Sequence, residues 1–323
     1  MVSTYSEAGV DIDASEKATE ALIAQIKGVN RKGDGEAIKL DNGFAGLVKL
    51  GDGALAMCTD GVGSKLLLAE EMDSIHTVGI DCVAMNTNDL ICVGAEPLSF
   101  VDYVALDKPD EELMAKIGIG LAKGCKQSNC TLSGGETAIL PELVHGFDIA
   151  GTSVGYVKQD KIIDGTKIAE GNVLIGLKSS GPHSNGYTLI RKLFDGNKEL
   201  GKKLVEPTRI YVKEVMELIN QVNVNGIAHI TGGGLDNIRR INDNFQYVID
   251  NPLPVPSVFD WLQEKGNVED KEMYRTFNMG MGMVIIVNID DAEKSISILG
   301  EHAQMIGSVK NGKGISHKAM KKK

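Results

Sequence analysis

"PLSFVDYVALDKPDEELMAKIGIGLAKGCKQSN", residues 97–129, changes its hydrophobic periodicity at a short charged turn. The first ten residues are mostly apolar, with β-branched and aromatic side chains, which is typical of a strand. After the acidic residues 110–112, apolar side chains recur at Leu113, Ile117 and Leu121, and this spacing predicts one face of a helix. A strand that is followed directly by a helix predicts an α/β fold.

The same alternation continues outward in both directions. Short apolar runs at residues 54–59 and 146–157 predict further strands, and a second series of strands and helices fills the C-terminal half. The charged, turn-rich stretch "KQDKIIDGTKIAEG", residues 158–171, separates the two series. We therefore predict two α/β domains, residues 1–165 and 166–323.

The first fifty residues are less regular. "EKATEALIAQIKG", residues 16–28, predicts an amphipathic helix with Ala18, Leu22 and Ile26 on one face. Residues 30–53 are polar and rich in glycine, and two interpretations stay open for them. They form either a lid over a site or a loop in solvent.

Charge and composition exclude several classes of partner. The chain has 323 residues, a formal net charge of -10 and a pI near 5.2, so a broad basic surface for nucleic acid or anionic lipid is not expected. No stretch approaches the length of an apolar membrane span. The five cysteines include no C-x-x-C pair, which argues against a disulfide framework and a zinc site. These features predict a cytoplasmic protein that binds neither nucleic acid nor membrane.

"CTDGVGSKLLLA", residues 58–69, resembles a phosphate loop that begins with a carboxylate. An apolar run ends at Asp60, and Gly61, Gly63 and Lys65 follow, but the spacing fits neither the Walker A motif nor the dinucleotide fingerprint. A carboxylate next to phosphates is physically reasonable where a divalent cation lies between them, because Mg²⁺ is held by one or two carboxylates plus phosphate oxygens. The alternative is a turn at a strand end with Asp60 as its capping residue.

Further acids occur in similar settings. Asp81 is predicted to be a helix N-cap, and Asp89 lies two helical turns further on the same side. Asn88 and Asp89 lie in an otherwise apolar helix. Their polar side chains must therefore be either hydrogen-bonded within the protein or bound to a ligand. Glu136 follows a glycine pair. Asp60, Asp89 and Glu136 are candidates for one cation cluster, although the sequence alone does not establish that they converge.

The C-terminal half contains two glycine-rich turns between a predicted strand and a predicted helix. They lie within residues 176–192 and 228–238. Backbone amides at such turns favour an anionic group, so a phosphate site is predicted there. His183, in the first turn, is either a donor to phosphate and a proton shuttle or an ordinary loop histidine.

Several blocks, in this order, resemble the phosphoribosylformylglycinamidine cyclo-ligase family of purine biosynthesis, over about residues 5–307. They include "TDGVGSKL", "GIDCVAMNTNDLICVGAEPLSFVDYVA", "GGETA", "SSGPHSNGY", "PTRIYVK", "AHITGGGLDNI" and "EMYRTFNMGMGM". The resemblance implies a PurM-like fold of two α/β (α+β) domains. In that fold the N-terminal domain forms a dimeric β-barrel with its copy, so a homodimer is expected.

The resemblance also implies an activity, which is the ATP-dependent ring closure of formylglycinamidine ribonucleotide to 5-aminoimidazole ribonucleotide, with release of ADP and phosphate. ATP and Mg²⁺ are the implied cofactors, and a need for K⁺ is left open. Activation of an amide-like oxygen by ATP chiefly requires positioning and charge neutralisation, which agrees with the sites above.

Residue roles are carried over position by position from the matching motifs. The implied metal ligands are Asp60, Asp89 and Glu136. The implied cofactor-binding residues are Lys27, Gly61, Gly63, Lys65, Asp89 and Glu136. The implied catalytic residues are Lys27, Asp60 and His183. The implied substrate-binding residues are Ser179, Ser180, Gly181, Asn185, Thr231, Gly232 and Gly233.

The sequence departs from the family pattern in several places, and one of these departures, at residues 138–142, keeps a second hypothesis open. "AILPE", residues 138–142, differs from the usual continuation of "GGETA", and Lys178 replaces a small residue. A nucleotide-binding protein without catalysis is therefore the alternative to an enzyme.

Overall fold

The computed structural model describes residues 12–26, 28–40 and 43–318. Lys27, expected to be catalytic and to bind ATP, lies outside the described residues. The strands are β1 Ala37–Ile38, β2 Gly46–Leu50, β3 Gly53–Gly61, β4 Glu96–Leu106, β5 Thr131–Ile139, β6 Phe147–Lys158, β7 Val173–Lys178, β8 Val224–His229, β9 Phe245–Ile249, β10 Met281–Val287, β11 Ala303–Asn311 and β12 Gly314–His317. The α-helices are α1 Ile12–Gln25, α2 Lys65–Glu71, α3 Val78–Cys92, α4 Glu111–Gln127, α5 Tyr187–Leu193, α6 Lys198–Leu204, α7 Val212–Gln221, α8 Ser257–Gly266, α9 Asp270–Thr276 and α10 Ala292–Leu299.

Two six-stranded sheets divide the chain between them. The first has the strand order β1-β2-β3-β6-β4-β5 and the second has the order β12-β9-β11-β7-β10-β8. Neighbouring strands are antiparallel except for the pairs β4–β5 and β9–β12. The expected mixed α/β content is confirmed, and within the described residues the first sheet is open rather than closed into a barrel. The first sheet ends at Lys158 and the second begins at Val173, while the domain boundary at residue 165 stays a prediction.

The strand and helix predicted within residues 97–129 are confirmed as β4 and α4. The Asp110 carboxylate caps α4 by accepting the N–H of Leu113 at 2.9 Å. The buried face of α4 packs against α3, where Gly79 and Gly120 allow the backbones to approach. A Cβ atom on Gly79 would lie 2.6 Å from the carbonyl carbon of Gly120. The close contact therefore requires residues without side chains at this crossing.

Helix α3 is the central element of the molecule. Fourteen of its residues are buried, and it contacts β3, β4 and β6 on one side and β8 and α7 on the other. A helix that is apolar nearly all round is expected to be covered on every side. The predicted N-cap was wrong, because Thr77 precedes the first helical residue and Asp81 lies inside the first turn. Side chains from both ends of α3 therefore reach the boundary between the two halves.

The N-terminal segment combines a confirmed helix with an unexpected β-structure. The predicted helix is confirmed as α1, which begins and ends earlier than expected, but Leu22 in the helix and Ile26 directly after it are exposed. Residues 35–38 pair with residues 47–49, because the N–H of Gly35 donates to the carbonyl of Lys49, the N–H of Lys49 donates to the carbonyl of Glu36, and β1 pairs with β2. Neither sequence interpretation anticipated this pairing. Among the described residues, no helix has the length and apolar character that a bilayer crossing requires.

The buried ring of His317 on β12 predicts a specific pH dependence of stability. The Tyr274 ring lies 4.4 Å away between centroids, and burial lowers the pKa of His317 from 6.5 to about 4. Between these values the unfolded chain binds the proton and the folded chain does not, so stability falls as the pH drops below 6.5. We expect the contribution of His317 to the free energy of unfolding to be about 2 kcal/mol smaller at pH 5 than at pH 7.5.

Urea denaturation at both pH values would measure this contribution. His317→Gln should show a smaller loss of unfolding free energy than the wild type between pH 7.5 and 5. The matched control is His145→Gln, which changes an exposed histidine and should keep the wild-type dependence. Equal losses in His317→Gln and the wild type would contradict the prediction.

Candidate functional site

Two of the three expected metal ligands come together where β3 ends beside α3. Asp60 is the second-last residue of β3, and its Oδ1 accepts the N–H of Gly61 at 2.8 Å. Asn86 on α3 donates from Nδ2 to the Asp60 carbonyl oxygen at 3.1 Å, which fixes the strand end to the helix. Asp60 is exposed on one side, but the protein atoms around its carboxylate displace part of its water and so raise its pKa, and the negative charge of Asp89 adds to this effect. The two carboxylates therefore act on each other electrostatically.

Asp89 is held by a histidine from the second half. His229, the last residue of β8, is fully buried and donates from Nδ1 to Asp89 Oδ1 at 2.9 Å. Cys58 Sγ lies 3.8 Å from the other Asp89 oxygen, and burial followed by the nearby carboxylates raises the pKa of this thiol. Sequence reasoning did not assign a role to His229. Its only local signal is its place at a strand end directly before a glycine-rich turn.

Glu136 is separated from this pair by the sheet. In the strand register Asp60 pairs with Gly151, Gly151 pairs with Asp102, and Asp102 pairs with Gly135. Three strand spacings put the two ends of this row about 14 Å apart. Because successive residues of a strand face opposite sides, Glu136 lies on the face opposite to that of Asp60.

The expected cluster of three acids is therefore not formed within one chain. Among the described residues, no group of three or more His, Cys, Asp or Glu side chains is arranged to hold a metal ion. Asp60 and Asp89 are still suitable ligands for a divalent cation. Mg²⁺ needs only one or two carboxylates from the protein where phosphate oxygens and water complete its coordination.

Lys65 joins the two halves of the molecule. Its ammonium group is fully buried and donates at 2.8 Å to three acceptors, which are Asp81 Oδ1, the His183 carbonyl and the Glu206 carbonyl. The same Asp81 oxygen accepts the N–H of Thr208 at 2.7 Å. Burial lowers the pKa of Lys65, and the charge of Asp81 opposes this shift. All three donors of this expected ATP ligand are thus used by protein acceptors.

The expected substrate-binding residues lie in two of three adjoining loops of the second half. We call these loops, residues 179–186, 231–233 and 277–280, the loop cluster. The Ser179 N–H donates to the Gly280 carbonyl at 3.0 Å, and Asn278 Nδ2 donates to the Gly181 carbonyl at 2.8 Å. A Cβ atom on Gly232 would lie 3.0 Å from Asn185 Oδ1. The three loops are therefore in direct contact. The residues brought together there are Ser179, Ser180, Gly181, Asn185, Thr231, Gly232 and Gly233.

His183 is buried within the loop cluster rather than at the surface. Its φ of 61° is left-handed, its Nε2 accepts the Ser180 N–H at 3.2 Å, and its carbonyl accepts from Lys65. Burial is the main reason why the pKa of His183 lies well below 6.5. The ring is therefore neutral at pH 7, and its contacts fix the shape of the loop.

Asn88 and Asp89 are both hydrogen-bonded across the two halves, as their apolar setting predicted. Asn88 Nδ2 donates to the Arg209 carbonyl at 2.9 Å, and Asn88 Oδ1 accepts the Tyr211 N–H at 3.0 Å. Together with the Asp89–His229 bond, these contacts fix the C-terminal end of α3 against the second half.

Comparison with known proteins agrees with this architecture. The family models "AIR synthase related protein, N-terminal domain" and "AIR synthase related protein, C-terminal domain" match residues 42–157 and 169–319. A "Phosphoribosylformylglycinamidine cyclo-ligase" of Methanosarcina acetivorans is 46% identical over 319 residues, which is 95% of this chain and 94% of the relative.

Two solved structures share the fold at low sequence identity. AaThiL complexed with AMPPCP and TMP has a TM-score of 0.65 at 16% identity, over 93% of this chain and 92% of that chain. Hydrogenase maturation protein HypE in complex with ATP has a TM-score of 0.62 at 18% identity, over 91% and 87% of the two chains. At these identities the likeness is one of fold alone. The similarity to the cyclo-ligase, in contrast, extends over almost the whole of both sequences, and the chain therefore belongs to the phosphoribosylformylglycinamidine cyclo-ligase family.

Proposed function

We propose that this chain catalyses the ATP-dependent cyclisation of formylglycinamidine ribonucleotide to 5-aminoimidazole ribonucleotide in de novo purine biosynthesis. The observation that carries the proposal is the 46% identity to a named cyclo-ligase over 94% of that relative's length. A cytoplasmic location belongs to the same proposal.

The reaction forms and breaks bonds in two steps. The formyl oxygen attacks the γ-phosphorus of ATP and forms an oxygen–phosphorus bond. The bond between the γ-phosphorus and the β,γ-bridging oxygen breaks, and ADP leaves. An amidine nitrogen then attacks the formyl carbon, the carbon–oxygen bond breaks and phosphate leaves with the former formyl oxygen. One proton is released overall. The protein chiefly has to hold two anionic molecules in line and exclude water.

The Asp60–Asp89 pair is the proposed place for the cation that accompanies ATP. His229 and Cys58 contact the two oxygens of Asp89, and the N–H of Gly61 contacts Asp60 Oδ1. Asp60 Oδ2 and the second lone pairs of the other oxygens are left for a cation. Mg²⁺ bound there would neutralise phosphate charge that the two acids alone would repel. HypE has the same fold and has been solved in complex with ATP, which supports nucleotide binding by this fold. Lys27, Gly61, Gly63 and Glu136 remain proposed nucleotide contacts, with Glu136 on the outer face of the first sheet.

The loop cluster is the proposed site for the substrate phosphate. Its glycines bring backbone close to a ligand, and its polar side chains supply neutral donors. In this proposal Lys65 and His183 act by holding the loop cluster against the first half, because their polar groups are bonded to protein partners.

We also propose a homodimer that forms through the outer face of the first sheet and closes the expected barrel. Met57, Val101 and Tyr103 on this face are 40%, 39% and 44% exposed. The register places them together, because Val101 pairs with Thr152 and Thr152 pairs with Thr59. The edge strand β5 is exposed along nearly its whole length. Exposed edges of this kind are usually covered in native assemblies.

A charge on this face should prevent dimer formation. We expect the wild type to have twice the chain mass of 34.6 kDa in sedimentation equilibrium. Val101→Asp should raise the dissociation constant by at least about 100-fold, because two buried carboxylates would face a two-fold interface. The control is Ile289→Asp, at an apolar position of the second half that is 59% exposed, which should stay dimeric. A monomeric wild type or a dimeric Val101→Asp variant would contradict the proposal.

An assay with purified protein tests the activity itself. Incubation with formylglycinamidine ribonucleotide, ATP and Mg²⁺, with and without K⁺, should yield aminoimidazole ribonucleotide and ADP in equal amounts. Selenide and thiamine monophosphate, run in parallel, should give no product. Binding of ATP without any imidazole product would instead favour a non-catalytic nucleotide-binding protein, the alternative that the "AILPE" departure at residues 138–142 keeps open.

A further inference from the structure

Two of the five cysteines lie in contact at the C-terminal end of α4. Cys125, in the last turn of the helix, is buried, and Cys130, directly before β5, is half-buried and packs against the same hydrophobic core. The two thiols are hydrogen-bonded to each other. Four residues separate them in the chain, so the pair does not have the C-x-x-C spacing. Neither thiol belongs to the site described above.

The end of α4 explains why the two thiols meet. The N–H of Cys130 donates to the Cys125 carbonyl at 3.0 Å, and the N–H of Asn129 donates to the Lys126 carbonyl at 3.4 Å. Asn129 is left-handed, with a φ of 53°. These features define a Schellman motif, in which the side chains at the two ends of the closing turn pack on each other. The contact between the thiols is therefore fixed by the backbone.

The pKa values distinguish Cys130 from the other thiols. The Cys125 thiol donates its hydrogen to the Cys130 sulfur, which lowers the pKa of Cys130 and raises the pKa of Cys125. Burial raises the pKa of Cys58, Cys82 and Cys92. Cys130 therefore has the largest thiolate fraction of the five. The thiolate is the nucleophile in thiol–disulfide exchange, and a second thiol in contact with it can complete the exchange.

We propose that Cys125 and Cys130 form a reversible disulfide bond with a small-molecule disulfide as the oxidant, and that Cys130 reacts first. The Cys130 thiolate attacks one sulfur of the small disulfide, a mixed disulfide forms and one thiolate leaves. The Cys125 thiol then loses its proton, its sulfur attacks the Cys130 sulfur, the mixed disulfide breaks and a second thiolate leaves. The protein thiols lose two electrons, and the small disulfide is reduced to two thiols. The bond joins the end of α4 to the start of β5.

Equilibration with reduced and oxidised glutathione, followed by alkylation and peptide mass spectrometry, tests this site. The wild type should lose two of its five free thiols, with the bond between Cys125 and Cys130, and dithiothreitol should restore both. Cys125→Ser should stop at a mixed disulfide of Cys130 with glutathione. Cys130→Ser should react with oxidised glutathione at least about 10-fold more slowly than Cys125→Ser, because its remaining Cys125 thiol is buried and protonated.

Cys58→Ser is the matched control, because Cys58 is also half-buried but its sulfur lies 3.8 Å from an Asp89 oxygen. This variant should form the bond between Cys125 and Cys130 as the wild type does. A disulfide between other cysteines, a mixed disulfide that persists in the wild type, or equal reaction rates in Cys125→Ser and Cys130→Ser would overturn the inference.

The fold itself should favour the disulfide. Because the native backbone holds the two thiols in contact, we expect the equilibrium constant for disulfide formation to be at least about 10-fold higher in the folded protein than in urea. The oxidised protein must then have a higher Tm than the reduced protein, since the disulfide and the fold stabilise each other. An equal or lower Tm of the oxidised protein would contradict the inference. These measurements use neither ATP nor substrate, so their outcome is independent of the proposed function.

Discussion

Replacing Lys65 with methionine is expected to lower the free energy of unfolding by about 3–5 kcal/mol. The change removes a fully buried ammonium group and leaves the Asp81 carboxylate buried without its counter-charge. Two backbone carbonyls, those of His183 and Glu206, lose their donor as well. Urea denaturation, followed by circular dichroism, measures the loss.

Two further variants test whether burial of the pair is the cause. Lys65→Met combined with Asp81→Leu removes both charges, and it should recover part of the lost stability, because no unpaired buried charge remains. Lys116→Met removes a partly exposed lysine that pairs with Asp73 and Glu112 at the surface, and it should change the free energy of unfolding by less than about 1 kcal/mol. An effect of Lys65→Met as small as that of Lys116→Met would contradict the structural role.

Asp60→Asn is expected to reduce the turnover of formylglycinamidine ribonucleotide by at least about 100-fold. The amide keeps the shape of the side chain and its acceptor oxygen for Gly61, but it removes the negative charge that the proposed cation requires. Since Asp60 is exposed, the variant should fold normally. ADP release with saturating Mg²⁺, alongside a denaturation curve, measures both effects.

A second acid at the other end of the same strand provides the control. Asp52 directly precedes β3 and accepts the Tyr156 hydroxyl at 2.7 Å. Asp52→Asn should retain turnover within about twofold, because this carboxylate lies away from the site. Turnover of Asp60→Asn within tenfold of the wild type would remove Asp60 from the proposed nucleotide site.

The two predictions concern opposite ends of one helix. Asp81 near the start of α3 holds the buried lysine, and Asp89, eight residues later, faces the proposed cation. At 1.5 Å per residue the two acids are about 12 Å apart along the axis. Because the second half is bonded at both ends of this helix, the loop cluster and the Asp60–Asp89 pair are kept in a fixed relation.

Local pattern determined much of the secondary structure. β4 and α4 were predictable, because their apolar periodicity and the Asp110 cap lie within a few neighbouring residues. β5 was not recognised as a strand, since "TLSGGETAI", residues 131–139, is polar, contains a glycine pair and shows no alternation. It is a strand only because β4 pairs with it. The family could also be identified from the sequence, because many ordered motifs together are specific where each alone is not.

Only the tertiary structure decided what the polar residues contact. Lys65 follows two glycines at a strand end, as a lysine near phosphates could, yet its acceptors lie 16, 118 and 141 residues away in the chain. Glu136 follows a glycine pair, which made it a candidate to converge with the other acids, but the strand register places it on the other face of the sheet. Hydrophobic periodicity reports which face of an element is buried, because burial is a local property of that element. The partner of a buried charge or hydroxyl is set by how distant elements pack, and no local spacing records that.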